Sequence, residues 1–195
     1  MKSIAVYCSS SNKISKAFND EVSKIGKLLA QEKLKIIYGG GDMGLMGELS
    51  KSAILAGGEV KGVITEHLIN IERKNESENN VKIVNTMHER KIEMYNSADS
   101  FLILPGGIGT LEEFFEVLSW KQLNLHNKPI FIYNFENFWD PLVELIEHMI
   151  KNNFAGENMK EAYKVIKNHS ELELSLIHIS EPTRRYAISY AVFCL

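Results

Sequence analysis

The chain of 195 residues has little cysteine and no recognisable metal-binding pattern. Its two cysteines, Cys8 and Cys194, lie at opposite ends of the sequence and form no CxxC pair. We therefore expect neither a disulfide framework nor a cysteine-rich metal site, and the cytoplasm is the default compartment. The six histidines also lack metal-ligand spacing. These absences predict a protein with no metal and no organic cofactor.

The sequence also lacks a charge excess and a long apolar run. Its 22 basic and 25 acidic residues give a formal net charge of −3, so no strong basic field attracts nucleic acid or anionic lipid. No apolar run approaches the roughly 20 residues that span a membrane, and the N-terminus carries no long apolar signal segment. With 45% hydrophobic and 24% charged residues, the composition predicts a soluble globular domain.

Short apolar runs alternate with stretches of helical spacing. The predicted strands are 3–7, 34–38, 59–64, 81–84, 100–104, 129–133 and 163–166, and the predicted helices are 15–31, 45–56, 87–98, 111–123 and 138–152. Most strand candidates are continuously apolar, as expected for strands covered on both faces. The alternation predicts an α/β fold, a Rossmann-like doubly wound, mostly parallel sheet with helices on both faces.

A glycine-rich turn follows the predicted fifth strand and leads into a predicted helix; it reads PGGIGTLEE at 105–113. Glycines let the backbone approach an anion closely, and a helix N-terminus adds partial positive charge. Thr110 is suited to cap the helix or to bind a phosphate oxygen. The alternative is an ordinary tight turn with acidic residues in the first helical turn, and a single glycine pair does not distinguish the two.

Three more segments accompany this turn. They are the polar turn at 8–12 (CSSSN), the second glycine turn at 38–47 (YGGGDMGLMG) and the run MHERK at 87–91. The three turns all follow predicted strands, and the carboxyl ends of parallel strands meet along one edge of a sheet. We therefore expect these turns to form one crevice. The second glycine turn, with Asp42, is expected to be mainly structural.

In combination, YGGGDMGLMG, MHERK and PGGIGTLEE resemble the LOG family of cytokinin riboside 5'-monophosphate phosphoribohydrolases, whose members have often been labelled lysine decarboxylases. The resemblance covers about residues 1–170. It implies a homodimer that hydrolyses the N-glycosidic bond of purine nucleoside 5'-monophosphates, either cytokinin-type or adenosine. The products are the free base and ribose 5-phosphate. Such a step passes through a cationic, oxocarbenium-like sugar.

The resemblance also assigns roles to individual residues. Arg90 and Glu113 match the catalytic pair of the family. Because a guanidinium stays protonated, Arg90 orients and stabilises, whereas the Glu113 carboxylate stabilises the cationic sugar or activates water. The residues implied to bind substrate are Glu72, Lys91, Gly106, Gly107, Ile108, Gly109, Thr110, Leu111, Glu112 and Ser119. The alternative for Arg90 and Lys91 is the solvated face of a helix, and His88 is expected at the surface.

Two segments stand apart from these motifs. Residues 66–80 are polar without periodicity, which predicts a mobile loop beside the crevice. Residues 175–195 include Pro182 and an apolar ending, and they resemble translated adapter or vector sequence. We therefore expect one domain over 1–174 and a non-native tail over 175–195, with a genuine terminal β-segment as the alternative.

Two other functions stay open at this point. A non-catalytic nucleotide sensor or carrier could use the same fold, because fold does not determine function. Such a protein need not keep the Arg90 and Glu113 pair. A lysine decarboxylase would need a lysine that binds pyridoxal phosphate and an acidic partner for the cofactor ring, and no lysine here has a recognisable setting of that kind.

Overall fold

The computed structural model describes residues 1–73 and 80–180. Within these residues, seven strands form one sheet in the order β4-β3-β2-β1-β5-β6-β7, and every neighbouring pair is parallel. The strands are β1 (Ser3–Tyr7), β2 (Lys35–Tyr38), β3 (Val60–Thr65), β4 (Val81–Val84), β5 (Ser100–Ile103), β6 (Ile130–Tyr133) and β7 (Lys164–Ile166). The predicted α/β class and parallel sheet are confirmed.

Seven α-helices accompany the strands in the described part of the chain. They are α1 (Lys16–Gln31), α2 (Gly44–Leu55), α3 (Glu66–Glu72), α4 (Met87–Ser97), α5 (Ile108–Gln122), α6 (Asp140–Lys151) and α7 (His169–Ser180). Short 3₁₀ helices span Phe135–Asn137 and Glu157–Glu161. Helices α1, α2 and α7 pack on one face of the sheet, and α4, α5 and α6 pack on the other.

The central strand β1 contributes to both cores. Ile4 and Val6 pack with α1 and α2, whereas Ala5 and Tyr7 pack with α4 and α5. Because successive side chains of a strand point to opposite faces, a strand covered on both sides must be apolar at every position. This explains why the predicted strands were continuous apolar runs. From β1 the chain adds strands on one side of the sheet as far as β4, and from β5 it adds them on the other side. The usual ligand crevice of such sheets lies between β1 and β5, where the side of addition changes.

Residues 66–72 are helical, so the predicted mobile loop over 66–80 was wrong in its first half. Helix α3 begins after Thr65, whose side-chain oxygen accepts a hydrogen bond from the backbone N–H of Leu68 at 3.4 Å. Helix α3 has only seven residues, which is too few for a helical apolar period to be recognised from the sequence, and none of them is buried. Residues 74–79 lie outside the described residues.

Helix α5 begins three residues before the predicted start. Gly107 is its N-cap, and no side chain caps it, so the suggestion that Thr110 caps this helix was wrong. Thr110 is instead the third helical residue and is buried. The glycines obscured the helix start because glycine is a poor helix former, yet the first turn tolerates it when its N–H groups have another use.

The last described helix crosses the boundary expected at 174. Helix α7 continues to Ser180, and Leu176 is fully buried in the core with Leu172. Ser175 donates a hydrogen bond to the Glu171 carbonyl at 2.7 Å and accepts one from the Lys164 ammonium at 2.9 Å. The first part of the segment 175–195 therefore takes part in the fold. Residues 181–195, with Pro182 and Cys194, lie outside the described residues, and the foreign origin of the tail stays a prediction. Among the described helices, none is both long enough and apolar enough to cross a membrane.

Candidate active site

The three predicted turns meet at the carboxyl edge of the sheet, as expected. The backbone N–H of Ser9, in the turn after β1, donates to the Pro105 carbonyl after β5 at 3.2 Å. The Ser9 carbonyl accepts from the Leu45 N–H at 3.0 Å, which joins the first turn to α2. Gly44 has φ +57°, and its N–H donates to Asn12 Oδ1 at 2.9 Å. The second glycine turn is thus a structural support for the crevice.

These turns and the neighbouring helices enclose a cavity of about 420 Å³. This volume suits a nucleotide-sized ligand. The cavity is lined by Val6, Tyr7, Cys8, Ser9, Ser10, Ser11, Gly39, Met46, Leu68, Glu72, Met87, Arg90, Gly107, Ile108, Gly109, Thr110, Glu112 and Glu113.

The glycine turn after β5 presents open backbone to this cavity. A Cβ added at Gly107 or Gly109 would meet nothing within 4 Å, whereas one at Gly106 would overlap the Thr110 side chain. The first turn of a helix leaves N–H groups without helical acceptors, and here those groups belong to residues at the cavity wall. Open space above free N–H groups at a helix N-terminus is the geometry of an anion site.

Arg90 lies at the bottom of the cavity and is 6% exposed. Helix α4 is capped by Thr86, which accepts from the Glu89 N–H at 3.1 Å, while the Glu89 carboxylate accepts from the Asn85 N–H at 3.0 Å. Such reciprocal capping fixes the helix start, and Arg90 lies in its first turn. The sequence pattern MHERK therefore sets where the guanidinium enters the site.

The Arg90 guanidinium donates to three acceptors on three different elements. Nε donates to the Val63 carbonyl at 3.0 Å, Nη1 to Glu113 Oε1 at 2.8 Å and Nη2 to the Gly39 carbonyl at 3.4 Å. A Cβ at Gly39 would overlap Nη2, so the second glycine turn also makes room for the guanidinium. These contacts hold Arg90 rigidly and leave its charge facing Glu113.

Glu113 projects from the second turn of α5 into the same cavity and is 9% exposed. Burial raises the pKa of its carboxyl above the value of an ordinary glutamate, and the nearby Arg90 guanidinium opposes that rise. A buried carboxylate held by one guanidinium keeps an oxygen for another partner. The pair can therefore stabilise a developing positive charge or take a proton from water.

Another part of the cavity wall combines apolar side chains with a carboxylate. Leu68 and Glu72 lie one turn apart on α3, and Met46 and Met87 complete the wall. Glu72 Oε2 is buried and has no hydrogen-bond partner among the described residues. A buried, unpaired carboxylate oxygen is costly unless a ligand donates to it. The Glu72 carbonyl accepts from the Asp42 N–H at 2.9 Å, which ties α3 to the second glycine turn.

Four of the residues implied to bind substrate do not line the cavity in this single chain. Gly106 borders an adjoining apolar cavity of about 220 Å³, and Leu111 packs against the core. Lys91 instead pairs with Glu112 and Glu116. Ser119 is exposed, and its hydroxyl donates to the Glu116 carbonyl at 2.9 Å.

Sequence reasoning missed several lining residues. Leu68 was missed because α3 was taken for a loop, although Thr65 after a strand is a helix-start signal. Tyr7, the last residue of β1, also borders the cavity, and nothing in the continuously buried strand singles it out. His88 is exposed. Over residues 1–73 and 80–180, no group of three or more metal-ligating side chains is found.

A family model with the description "Possible lysine decarboxylase" matches residues 46–176. The chain is 38% identical over 173 residues to "Cytokinin riboside 5'-monophosphate phosphoribohydrolase LOG" of Oryza sativa subsp. japonica, covering 89% of this chain and 72% of that protein. It is 40% identical over 168 residues to the cytokinin riboside 5'-monophosphate phosphoribohydrolase of Rhodococcoides fascians, covering 86% of this chain and 85% of that protein.

Solved structures share the fold at low sequence identity. The molybdenum cofactor binding protein of Rippkaea orientalis has a TM-score of 0.67 at 17% identity, over 92% of this chain and 98% of that chain. The molybdenum cofactor carrier protein of Chlamydomonas reinhardtii has a TM-score of 0.65 at 17% identity, over 91% of this chain and 96% of that chain. At this identity the likeness concerns the fold alone.

Proposed function

This chain belongs to the LOG family of cytokinin riboside 5'-monophosphate phosphoribohydrolases, and on that basis we propose that it hydrolyses the N-glycosidic bond of purine nucleoside 5'-monophosphates. Water adds its oxygen to the anomeric carbon, the bond to the base nitrogen breaks, and the base leaves with a proton. The products are the free base and ribose 5-phosphate. The observation that carries the proposal is the buried Arg90 and Glu113 pair beside an open glycine turn.

In this proposal the phosphate binds the N–H groups at the start of α5, above Gly107 and Gly109. Backbone donors and the helix dipole supply the attraction there, with Thr110 close by. The sugar then lies over Glu113, whose carboxylate stabilises the cationic transition state or activates the attacking water. Arg90 orients that carboxylate through the bond at 2.8 Å.

The base extends towards the part of the wall that Leu68 and Glu72 form. Glu72 Oε2, which is buried and unpaired, accepts a hydrogen bond from the base or from a ribose hydroxyl. Leu68, Met46 and Met87 provide apolar surface for the purine. This arrangement uses the length of the cavity, with the phosphate at one end, the base at the other and the catalytic pair between them.

We also propose that the active form is a homodimer. The cavity walls carry three carboxylates, on Glu72, Glu112 and Glu113, but only Arg90 as a cation among the described residues. The side chains of one chain therefore add little to the attraction that the backbone N–H groups exert on a dianionic phosphate, and a second copy could add to it. The outer face of α5 also carries exposed apolar side chains, including Ile108 at 81% and Leu123 at 67% exposure. A second copy on this face would cover it, and Ser119, on the same face, would reach substrate only from there.

The experiment that tests the activity uses the purified protein with AMP and with isopentenyladenosine monophosphate. Release of the free base together with ribose 5-phosphate supports the proposal. Glu113→Gln, which keeps the shape of the side chain and an acceptor for Arg90, should lose turnover by a factor of at least about 100 while still binding AMP. Near-wild-type turnover of that variant would contradict the assigned role.

The same measurement distinguishes the alternatives. A nucleotide sensor or carrier would bind AMP without releasing base. A lysine decarboxylase would require a lysine at the site, and none lines the cavity in the part of the chain that the structure describes. Poor cleavage of adenosine is also expected, because a substrate without the 5'-phosphate leaves the glycine turn unused. The cytoplasm remains the proposed location.

A further inference from the structure

Tyr7 is a buried tyrosine on the wall of the candidate active-site cavity. It is the last residue of β1, and the ligand crevice of the sheet lies between β1 and β5. Its ring is stacked on that of Phe101, with the ring centres 6.0 Å apart, and the residue is 4% exposed. The strand and the stacking together hold the phenol in one orientation.

The hydroxyl of Tyr7 has no hydrogen-bond partner among the residues that the structure describes. A hydroxyl that is removed from bulk water without a partner costs about 1–3 kcal/mol, so most buried hydroxyls are paired. Tyr133 shows the ordinary arrangement: it ends β6 as Tyr7 ends β1, and its hydroxyl donates to Glu21 Oε1 at 2.5 Å. Tyr7 instead lines the cavity, where a bound molecule can be the partner of its hydroxyl.

Glu113 lines the same cavity and has one carboxylate oxygen to spare. Its Oε1 accepts from Arg90, and Oε2 has no hydrogen-bond partner within residues 1–73 and 80–180. Burial raises the pKa of Tyr7 well above that of an ordinary tyrosine, the Glu113 carboxylate raises it further and the Arg90 guanidinium opposes the rise. The phenol therefore keeps its proton at neutral pH. A neutral hydroxyl and a free carboxylate oxygen thus face one cavity.

We propose that the Tyr7 hydroxyl is a catalytic group that holds the attacking water together with Glu113. One hydrogen of the water is bonded to Glu113 Oε2 and the other to the phenol oxygen, so that a lone pair of the water faces the anomeric carbon. As the new C–O bond forms and the bond to the base breaks, the proton of the water passes to Glu113 and the base takes one from solvent. Glu113 then returns its proton to solvent, and Tyr7 stays neutral throughout. This inference rests on the proposed hydrolase function.

Tyr7→Phe removes the hydroxyl and keeps the ring that stacks on Phe101. It should lower kcat for AMP about tenfold, with KM within about twofold of wild type, because the contact matters only as the water attacks. The unfolding temperature should be unchanged or slightly higher, since an unpaired hydroxyl is lost. A variant with wild-type kcat would overturn the proposal. A fall in both kcat and unfolding temperature would also overturn it, because the hydroxyl would then have a structural role.

Tyr133→Phe is the matched control. It removes a hydroxyl from the same position on β6, but that hydroxyl bonds Glu21 of α1 on the other face of the sheet. The loss leaves the buried Glu21 carboxylate without one of its donors, so the unfolding temperature should fall while kcat and KM stay unchanged. Equal losses of kcat in the two variants would show that removing either hydroxyl disturbs the site, which would contradict a specific role for Tyr7.

2'-Deoxy-AMP distinguishes the water from the sugar as the partner of Tyr7. If Tyr7 contacts the water, Tyr7→Phe should lower kcat by the same factor with AMP and with 2'-deoxy-AMP. If it contacts the 2'-hydroxyl, the deoxy substrate already lacks that contact and the variant loses nothing more, which would reject the water-holding role. A rise in KM alone would reject it too. An inactive wild type would reject the hydrolase function itself, whereas an active wild type with an unaffected Tyr7→Phe variant rejects only the role of Tyr7.

Discussion

Arg90 and Glu113 form an ion pair at 2.8 Å that is almost completely removed from water. Burying a charge costs several kcal/mol, and its partner offsets that cost only when the geometry is good. Hydrophobic residues of similar volume would often give equal stability. A buried ion pair on a cavity wall is therefore better explained by chemistry than by folding, in keeping with the tendency of perturbed ionisable groups to occur at functional sites.

The raised pKa of Glu113 leads to a prediction about pH. Because the pKa in the folded protein lies above the ordinary value, the charged form exists only above that raised pKa, and it is lost as pH falls through it. The turnover that depends on the carboxylate should therefore fall as the pH is lowered through that raised pKa. It should decline on acidification earlier than an exposed glutamate, with a pKa near 4.3, would titrate.

A profile of kcat against pH, measured with saturating AMP, tests this expectation. The phosphate of the substrate titrates near pH 6, so the same profile should be recorded with a substrate analogue whose phosphate pKa differs. An apparent pKa that changes with the analogue belongs to the substrate, and an apparent pKa that stays the same belongs to the enzyme. A turnover that stays constant down to the range of ordinary carboxylates would contradict the role of Glu113 as the essential base or anion.

At the scale of single elements, the first turn of α5 has to meet two conflicting requirements. The turn needs residues that favour a helix, but the backbone there must also stay open to a ligand. Gly107 as N-cap and Gly109 as the second helical residue satisfy the second requirement at the expense of the first. Neither has a positive φ, so the conformation itself does not demand glycine.

Gly109→Ala tests whether the open space is functional. Alanine favours a helix over glycine by up to about 1 kcal/mol, and its methyl group would meet nothing within the protein. The variant should therefore be at least as stable as wild type in thermal unfolding. Its KM for AMP should rise about tenfold or more, because the methyl group takes the space of the phosphate and loses roughly 1.4 kcal/mol of binding.

Gly106→Ala is the contrasting variant. There the added methyl group would overlap the Thr110 side chain, so the substitution should lower the stability of the protein itself. If Gly109→Ala bound AMP as well as wild type, the phosphate would have to bind elsewhere, and the proposed orientation of the substrate would be wrong. A stability loss in both variants would show that the whole turn is tightly packed and not open.

Helix α3 shows where local pattern recognition fails. It has only seven residues, and so short a segment does not show the apolar periodicity that would distinguish it from a loop. Yet Leu68 and Glu72 both face the cavity, because they are one turn apart on the same side. The sequence signal for such a short exposed helix is its capping residue, Thr65, because the helix has no buried apolar face.

At the scale of the whole molecule, one chain leaves the face around α5 incomplete. Phe114, Val117 and Leu118 are buried within the chain, as a packed helix requires. Ile108 and Leu123 remain largely exposed at the two ends of the helix, together with Leu125 just beyond it. Apolar side chains of this size on one outer face favour association with a further surface.

We expect light scattering to show a dimer at assay concentration. The measurement should use a chain ending at Ser180, because the apolar residues near the C-terminus could cause association without any contribution from α5. Such a chain keeps α7, whose Leu172 and Leu176 are in the core. Leu123→Asp, at a position outside the cavity, should weaken the dimer, since a buried unpaired charge is costly. A monomer with full activity would contradict the dimer proposal.

The sequence by itself determined the architecture and singled out the two residues of the proposed catalytic pair. Continuous apolar runs such as 100–104 predicted strands buried on both faces, and the observed strands lie within a residue or two of the predicted limits. Both follow from local chemistry: an apolar run must be buried, and a glycine turn between a strand and a helix leaves backbone donors free. The motifs at 87–91 and 105–113 led to Arg90 and Glu113 through their resemblance to the LOG family.

Only the tertiary structure decided how those residues are used. Arg90 and Glu113 are 23 positions apart in sequence, and their contact depends on α4 and α5 packing on the same face of the sheet. The pairing of Lys91 with Glu116, the exposure of Ser119 and the orphaned oxygen of Glu72 likewise depend on neighbours that are remote in sequence. Local sequence sets which elements form. The partners of a charged side chain are set by packing, because electrostatic energy depends on distance and burial in space.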